Sequence, residues 1–300
     1  MMRLRRCRRG RRSTCFRHIP PCTKSARTWW HAGPQESSGM PAEATGSGVS
    51  PARGFVAEHA HYDDDLGFWE SHADRLGGPV CDLGAAAGRV TLRVAARGHE
   101  VWAVDTDPEM LEVLMERADR EGVHGRVHPV HGSMTDPLPV VPAGLVMVPM
   151  NTLQLLLAPD DRLACMRNGF EGLRPGGEMI FDLAMPHLGV TAGLVGSVLD
   201  TGHSVDPDNG DLLLHTATFD EVDVTTGDVA LRLLIERIRP DGTRSAVERA
   251  HRLHLYDPEE IPPLAEAAGL AVVSVAGGFR GEPLGPDAER HVWRLTKESA

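Results

Sequence analysis

Residues 79–89 read PVCDLGAAAGR, and a little further on residues 100–110 read EVWAVDTDPEM. Val80 to Leu83 has the length and apolarity of a buried strand and carries Asp82 near its end; Gly84 and Gly88 bracket a turn of small residues. Val90 to Arg97 has helical composition, and a second apolar run closes on Asp105. The order is strand, turn, helix, strand. Small residues in such a turn let the backbone approach a ligand at the helix N-terminus, and Asp105 stands where a carboxylate accepts hydrogen bonds from both hydroxyls of a ribose. The unit therefore reads as a nucleoside-cofactor site. Two other readings stay open. A dinucleotide site would carry G-x-G-x-x-G after the strand to cradle a pyrophosphate, a spacing this run lacks. Glycine and alanine turns also join strands to helices in many α/β domains with no ligand at all.

Outward from this unit, the residues after Pro51 have helical character, and Leu66, Phe68, Trp69, Ala73 and Leu76 form an apolar stripe that Gly77 and Gly78 end. Gly98 stops the helix after the motif. Asp107 and Pro108 supply an N-cap and a first-position proline for a helix over 108–121, with Met110, Leu111, Leu114 and Ala118 as its buried face. Val127 to Val130, Leu145 to Pro149 and Met179 to Leu183 read as third, fourth and fifth strands. Between the last two, Asp160 is expected to cap a helix running through Leu173, and Pro175, Gly176 and Gly177 turn the chain into the fifth strand. Strands alternating with helices at these spacings predict a parallel sheet covered on both faces, with ligands bound beyond the strands' carboxyl ends. Four loops, 82–89, 105–107, 131–134 and 149–154, then converge on one crevice.

The last third changes rhythm. Leu212 to Asp220, Val229 to Arg239 and Thr243 to Tyr256 have strand composition and are separated by the turn signals TTGD and RPDG, which predicts an antiparallel meander. Asp257 and Pro258 start a helix that ends at Gly269, and strands follow over 270–275 and 291–295.

The chain has 300 residues, 41% of them hydrophobic, enough for one substantial core with an elaboration. No apolar run approaches the roughly 20 residues that span a bilayer. Its formal net charge of −11 is unevenly spread: residues 1–30 hold nine Arg and one Lys and no acidic residue. Removing those ten from the 31 basic residues leaves 21 against 42 acidic ones, a formal −21 for the remainder. Such a body repels nucleic-acid phosphate, so neither nucleic acid nor membrane is an expected partner. Residues 1–50, basic and then rich in Gly, Pro, Ser and Ala, are expected to be a disordered extension, with Met40 as an alternative start. The remainder, 51–300, is expected to form one domain. Five cysteines in a chain this long, without C-x-x-C spacing, suggest a reduced cytoplasmic setting. The fifteen histidines show no metal-ligand spacing, and His128 and His131 read as strand flanks, so no metal is expected.

The run DLGAAAG followed by an acidic second strand resembles motif I of class I S-adenosylmethionine (SAM)-dependent methyltransferases, whose usual form is D/E-x-G-x-G-x-G. Gly84, Ala86 and Gly88 stand at the three small positions, so the middle one carries a methyl group. The resemblance covers about residues 55–298 and is closest to the small-molecule type, such as the glycine and deoxyaminosugar N-methyltransferases. It implies an α/β, Rossmann-like seven-stranded methyltransferase sheet with an inserted antiparallel β meander at about 205–256. It also implies SAM as cofactor and transfer of its methyl group, by in-line displacement, to an amine or hydroxyl of a small-molecule acceptor. A homodimer is compatible with it.

By that resemblance, Gly84, Ala85, Ala86 and Gly88 face the methionyl portion, Asp82 orders the loop or a water-mediated amino contact, and Asp105 holds the ribose. Thr106 and Met110 surround the adenosine. Relatives often follow the third strand with Gly-Asp; here Gly132 precedes Ser133, whose hydroxyl can bond the exocyclic amine, and Met134, which packs on the purine or fills the core. Arg89 meets the methionyl carboxylate or a neighbouring acid, and Tyr62 is an aromatic cover. In VPMNTLQLL, residues 148–156, Pro149 and Asn151 belong to the cofactor rim and Gln154 to the acceptor side. The remaining acceptor-side candidates are His187, His203, Arg252 and Tyr256; Asn151, His187 and Tyr256 are the candidates for a direct catalytic part. Two rivals remain, a SAM-using protein with altered chemistry and a non-catalytic binding or regulatory relic.

Overall fold

The computed structural model describes residues 50–298 apart from 141, 186 and 187. The basic extension and one acceptor-side candidate, His187, lie outside the described residues. The helical region after Pro51 divides into α1 (Pro51–His59) and α2 (Leu66–Leu76), and the motif follows as β1 (Val80–Leu83), α3 (Arg89–Ala96) and β2 (Val101–Asp105). Next come α4 (Pro108–Arg120), β3 (Val127–His131), β4 (Ala143–Val148), α5 (Pro159–Gly172) and β5 (Leu173–Ala184). The chain then forms α6 (Leu188–Ala192), β6 (Val198–Val205), β7 (Leu212–Val222), β8 (Asp228–Ile238) and β9 (Arg244–His254). It closes with α7 (Ile261–Ala268), β10 (Ala271–Ala276) and β11 (Arg290–Thr296).

Seven strands make one sheet in the order β10-β11-β5-β4-β1-β2-β3. The five from β5 to β3 are parallel, and β11 runs antiparallel between β5 and β10. Every residue of β1 and β4 is buried, the near-continuous apolar pattern of strands covered on both faces. One face packs Trp69, Leu114 and Met147 under α2, α3 and α4; the other packs Val148, Phe181 and Trp293 under α5 and α7. Asp107 caps α4 as expected, accepting from the Glu109 amide at 2.8 Å, with Pro108 in the first turn. For α5 the expectation is corrected. Ala158 is the N-cap and Pro159 the first residue, so Asp160 and Asp161 fall in the first turn, where their negative charges interact favourably with the helix dipole's positive end.

The insert is also larger than the expected three-stranded meander. It is a separate four-stranded antiparallel sheet, β6-β7-β8-β9, whose first strand begins at Val198, before the expected start near 205. The register of β6 shifts between Asp200 and Gly202, so the bulge breaks the alternation that marks a strand in sequence. One face of this sheet sets Leu213 and Ile235 against Ala57 of α1, and Leu231 and Leu253 with Leu155, in the turn after β4. Helix α1 is thus held between the insert and the motif.

Candidate active site

The motif turn is built by backbone demands. Gly84, Ala86 and Gly88 all have positive φ, 74°, 46° and 80°. A Cβ on Gly84 would lie 2.3 Å from Thr152 Cγ2, and one on Gly88 2.0 Å from Leu114 Cδ1, so glycine is needed at both for packing as well as for conformation. Ala86 accepts the left-handed conformation at a cost of about 1–2 kcal/mol. Asp105 offsets it: Oδ2 accepts from the Ala86 amide at 2.7 Å and Oδ1 from the Asp107 amide at 2.9 Å. The carboxylate at the end of β2 therefore ties the motif turn to the start of α4. Burial holds its pKa above the ordinary carboxylate value even though these amides favour its charge.

Asp82 is buried beneath the turn. Thr91 Oγ1 donates to Oδ2 at 2.6 Å, while Oδ1 has no protein partner. Burial pushes its pKa up to about 7, against the opposing effects of the Thr91 bond and the Arg89 charge. An orphaned buried carboxylate oxygen costs free energy unless a donor reaches it, and Asp82 lines a cavity of about 380 Å³. That volume lies within the about 300–1,000 Å³ of small-molecule sites.

Arg89, at the first turn of α3, is held by Asp65 through two bonds of 2.6 and 2.7 Å and also donates to the Tyr62 carbonyl at 3.1 Å. Its guanidinium lies 4.7 Å from the Tyr62 ring centroid. Burial works against the guanidinium's charge, and the Asp65 bonds outweigh it, leaving the pKa raised. A second buried pair stands behind the rim after β4. Asp182 accepts from the Met150 amide at 2.7 Å and from Arg290 at 2.8 Å. Burial pushes the Asp182 carboxyl up to about 6, partly countered by Arg290. Met150 and Asn151 take left-handed φ of 60° and 61° in succession, and buried Asn151 Oδ1 has no protein partner.

The open cavity gathers seven of the residues expected around the cofactor: Tyr62, Asp82, Gly84, Ala85, Ala86, Arg89 and Pro149. It does not gather the expected adenosine-side residues. Met110 is buried with Ala86 under Ala52 and Phe55 of α1, and Met134 is in the main core. Ser133 Oγ pairs with Thr135 at 2.7 Å, and the Ser133 amide donates to Asp136. Gly132 donates its amide to the Asp105 carbonyl, and exposed Thr106 offers its own carbonyl to His131. Gly88 and Asn151 lie beside the cavity in sequence without lining it, and Asp105, expected at the ribose, does not line it either.

The acceptor-side candidates disperse. Gln154 is fully buried, and its amide bonds both ways with the Ala184 backbone at 3.2 Å. Tyr256 is buried and donates to the Leu153 carbonyl at 3.4 Å, with Arg162 5.4 Å from its ring centroid. His203 and Arg252 are exposed, on the side of the insert sheet facing away from α1. Their strand neighbours Ser204 and His251 are the buried ones. Sequence reasoning missed these two, along with His215, Asp65, Asp182 and Arg290; strand alternation could have flagged the first three only if the register had been known.

The strand order, the glycine-bracketed turn after β1 and the acid at the end of β2 define the class I methyltransferase architecture. Residues 80–177 match the methyltransferase-domain family, so this segment is a methyltransferase domain with SAM as its expected cofactor. The CcbJ methyltransferase from Streptomyces caelestis has the same fold, with a TM-score of 0.64 and 24% identity over 80% of this chain and 98% of that one. The cypemycin N-terminal methyltransferase of a Streptomyces species is 27% identical over 237 residues, which are 78% of this chain and 85% of that protein. The ribosomal protein L11 methyltransferase of Geobacter sp. (strain M21) is 32% identical over 114 residues, 38% of this chain; the match spans only 35% of that relative's length. Among the described residues, no helix is long and apolar enough to cross a membrane.

Proposed function

We propose that the protein transfers the methyl group of SAM to a nitrogen of a small-molecule acceptor. The observation that carries the cofactor half is the unpartnered, buried Oδ1 of Asp82, a residue that lines one cavity together with Gly84, Ala85 and Ala86. When bound, SAM supplies a methyl group activated by a positive sulfur. Asp82 Oδ1 would accept from the ligand's ammonium group, and Arg89, oriented by Asp65, would offer its charge to the ligand's carboxylate. Asp105 keeps carboxylate lone pairs beyond its two backbone bonds, and these suit the ribose hydroxyls. The cavity walls contributed by Tyr62 and α1 would exclude water and align the reacting atoms, from which much of the rate of such a displacement can come.

Nitrogen is favoured over oxygen because the cypemycin relative is an N-terminal methyltransferase. The test is to incubate the protein with methyl-labelled SAM and a panel of small amines and alcohols. Label in amines alone is expected; label only in alcohols would overturn the nitrogen assignment.

A further inference from the structure

The segment that enters α2 borders two cavities. Tyr62, Asp63 and Leu66 line the cofactor cavity, whereas Asp64, Gly67 and Phe68 line a second one, of about 510 Å³, which shares no lining residue with the first. The second cavity lies where β10 and β11 extend the sheet. Ser274 is the register partner of Arg294 and Ala276 that of Val292, and all four line it. Ser71 and His72 of α2 join them, as do Phe279 and Arg280 of the β10–β11 loop. Two chemistries meet in this lining. Phe68 and Phe279 are in contact, with ring centroids 5.4 Å apart, yet both stay only partly buried, and such a pair beside open space suits another flat ring. Positive charge is also in surplus. Arg294 donates to Glu178 at 2.9 and 2.8 Å, but Arg75 donates to the same carboxylate at 2.9 and 2.7 Å, so two guanidiniums share one negative charge. Arg280 is exposed, and among the described residues only its backbone amide is bonded, to Glu282. Asp64 is the one carboxylate lining the cavity, against these two arginines. His72 adds no charge: its Nδ1–H donates to the Phe68 carbonyl at 2.9 Å, and burial holds its pKa below the ordinary value.

We propose that this cavity is a second ligand site, for a small aromatic carboxylate whose ring packs on Phe68 and Phe279 and whose carboxylate is met by Arg280 and Arg294. Guanidinium groups stay charged at any physiological pH and match a carboxylate with paired N–H donors, so the surplus arginine charge selects an anion. The Ser274 hydroxyl, beside Arg294 on the neighbouring strand, adds a donor. The volume lies within the about 300–1,000 Å³ of small-molecule sites. Each half of the lining sets a requirement. A neutral ring leaves the arginines unanswered, and a short aliphatic acid leaves the phenylalanine pair uncovered. The site uses none of the residues assigned to SAM, so the two ligands bind together, and the proposal stands apart from the cofactor reading.

The experiment titrates benzoate, benzamide and acetate into the full chain by calorimetry, with and without saturating SAM. Benzoate is expected to bind at one site with the same affinity in both conditions, and benzamide and acetate at least about tenfold more weakly. Nuclear Overhauser contacts should run from the benzoate ring protons to those of Phe279. Arg280→Ala removes an exposed side chain, so it should keep the wild-type melting temperature while lowering benzoate affinity about tenfold. Ser274→Leu, which adds bulk to the lining, should abolish benzoate binding and leave SAM binding unchanged. No binding of millimolar benzoate to wild type overturns the site. Displacement of benzoate by SAM overturns it too, because the probe then occupies the cofactor cavity. Equal affinity for benzamide overturns the anion reading, and full affinity in Arg280→Ala overturns the role of the arginines.

Discussion

The motif turn and the insert sheet make their residues matter in opposite ways. At the turn, function is fixed by backbone: Gly84 and Gly88 are needed because a Cβ would strike Thr152 and Leu114, and Asp105 because it receives two backbone amides. In the insert, what a residue can touch depends on which way its side chain points, and a shift of one residue exchanges buried His251 for exposed Arg252. A site made by backbone geometry leaves a local signature. One made by facing does not, because strand composition is nearly the same on either register.

This contrast can be broken or sharpened by substitution. The largest effect should come from Arg89→Ala, which leaves the buried Asp65 carboxylate without its cation; loss of about 3–5 kcal/mol is expected in urea unfolding. Gly84→Val should cost about 2–4 kcal/mol, from a strained positive φ together with overpacking against Thr152, and should abolish SAM binding in calorimetry. If Gly84→Val instead binds SAM normally, the turn is not the cofactor's floor.

Asp82 gives a pH test. Its folded pKa of about 7 lies above its unfolded value, so its charge opposes folding of the ligand-free protein at high pH and that penalty fades as pH falls through about 7. A bound ammonium group needs the charged form, so SAM affinity should fall on acidification below 7, by up to about tenfold per pH unit. Asp82→Asn should flatten that dependence. Smaller still is Ala86→Gly, in which relief of the left-handed strain and loss of a buried methyl and of backbone order nearly cancel, within about 1 kcal/mol by thermal melting. Smallest, His203→Ala and Arg252→Ala on the outer face should change stability by less than about 0.5 kcal/mol and leave methyl transfer intact.

Much of the fold was legible because its signals are local. The apolar runs of β1 and β4, the Asp107–Pro108 cap of α4 and the turns between β7, β8 and β9 each declare themselves within a few residues. Strand β6 was not, since its bulge at Asp200 interrupts the alternation and its outward valines resemble a loop's flank. The motif turn was legible too, and Asp82 and Arg89 line the open cavity beside it. Their partners did not follow. Asp65 lies 24 residues from Arg89, and Asp182 lies 108 from Arg290, with nothing in either neighbourhood to announce the pair. Gln154 and Tyr256 are polar residues whose partners turned out to be the backbone of Ala184 and Leu153, a use that composition cannot separate from ligand binding. Nor could sequence show that α1 would cover Met110 and Ala86, because that contact depends on the insert holding the helix in place.

The central claim is that the turn after β1 and the acid after β2 together hold SAM. Calorimetric titration of SAM into the wild-type chain and into Asp105→Ala tests it most directly. The account predicts one saturable site in wild type and an affinity at least about tenfold lower in the variant, for the loss of charge-assisted ribose bonds and of the tie to Ala86. No binding to wild type at millimolar SAM, or equal affinity in Asp105→Ala, would contradict it.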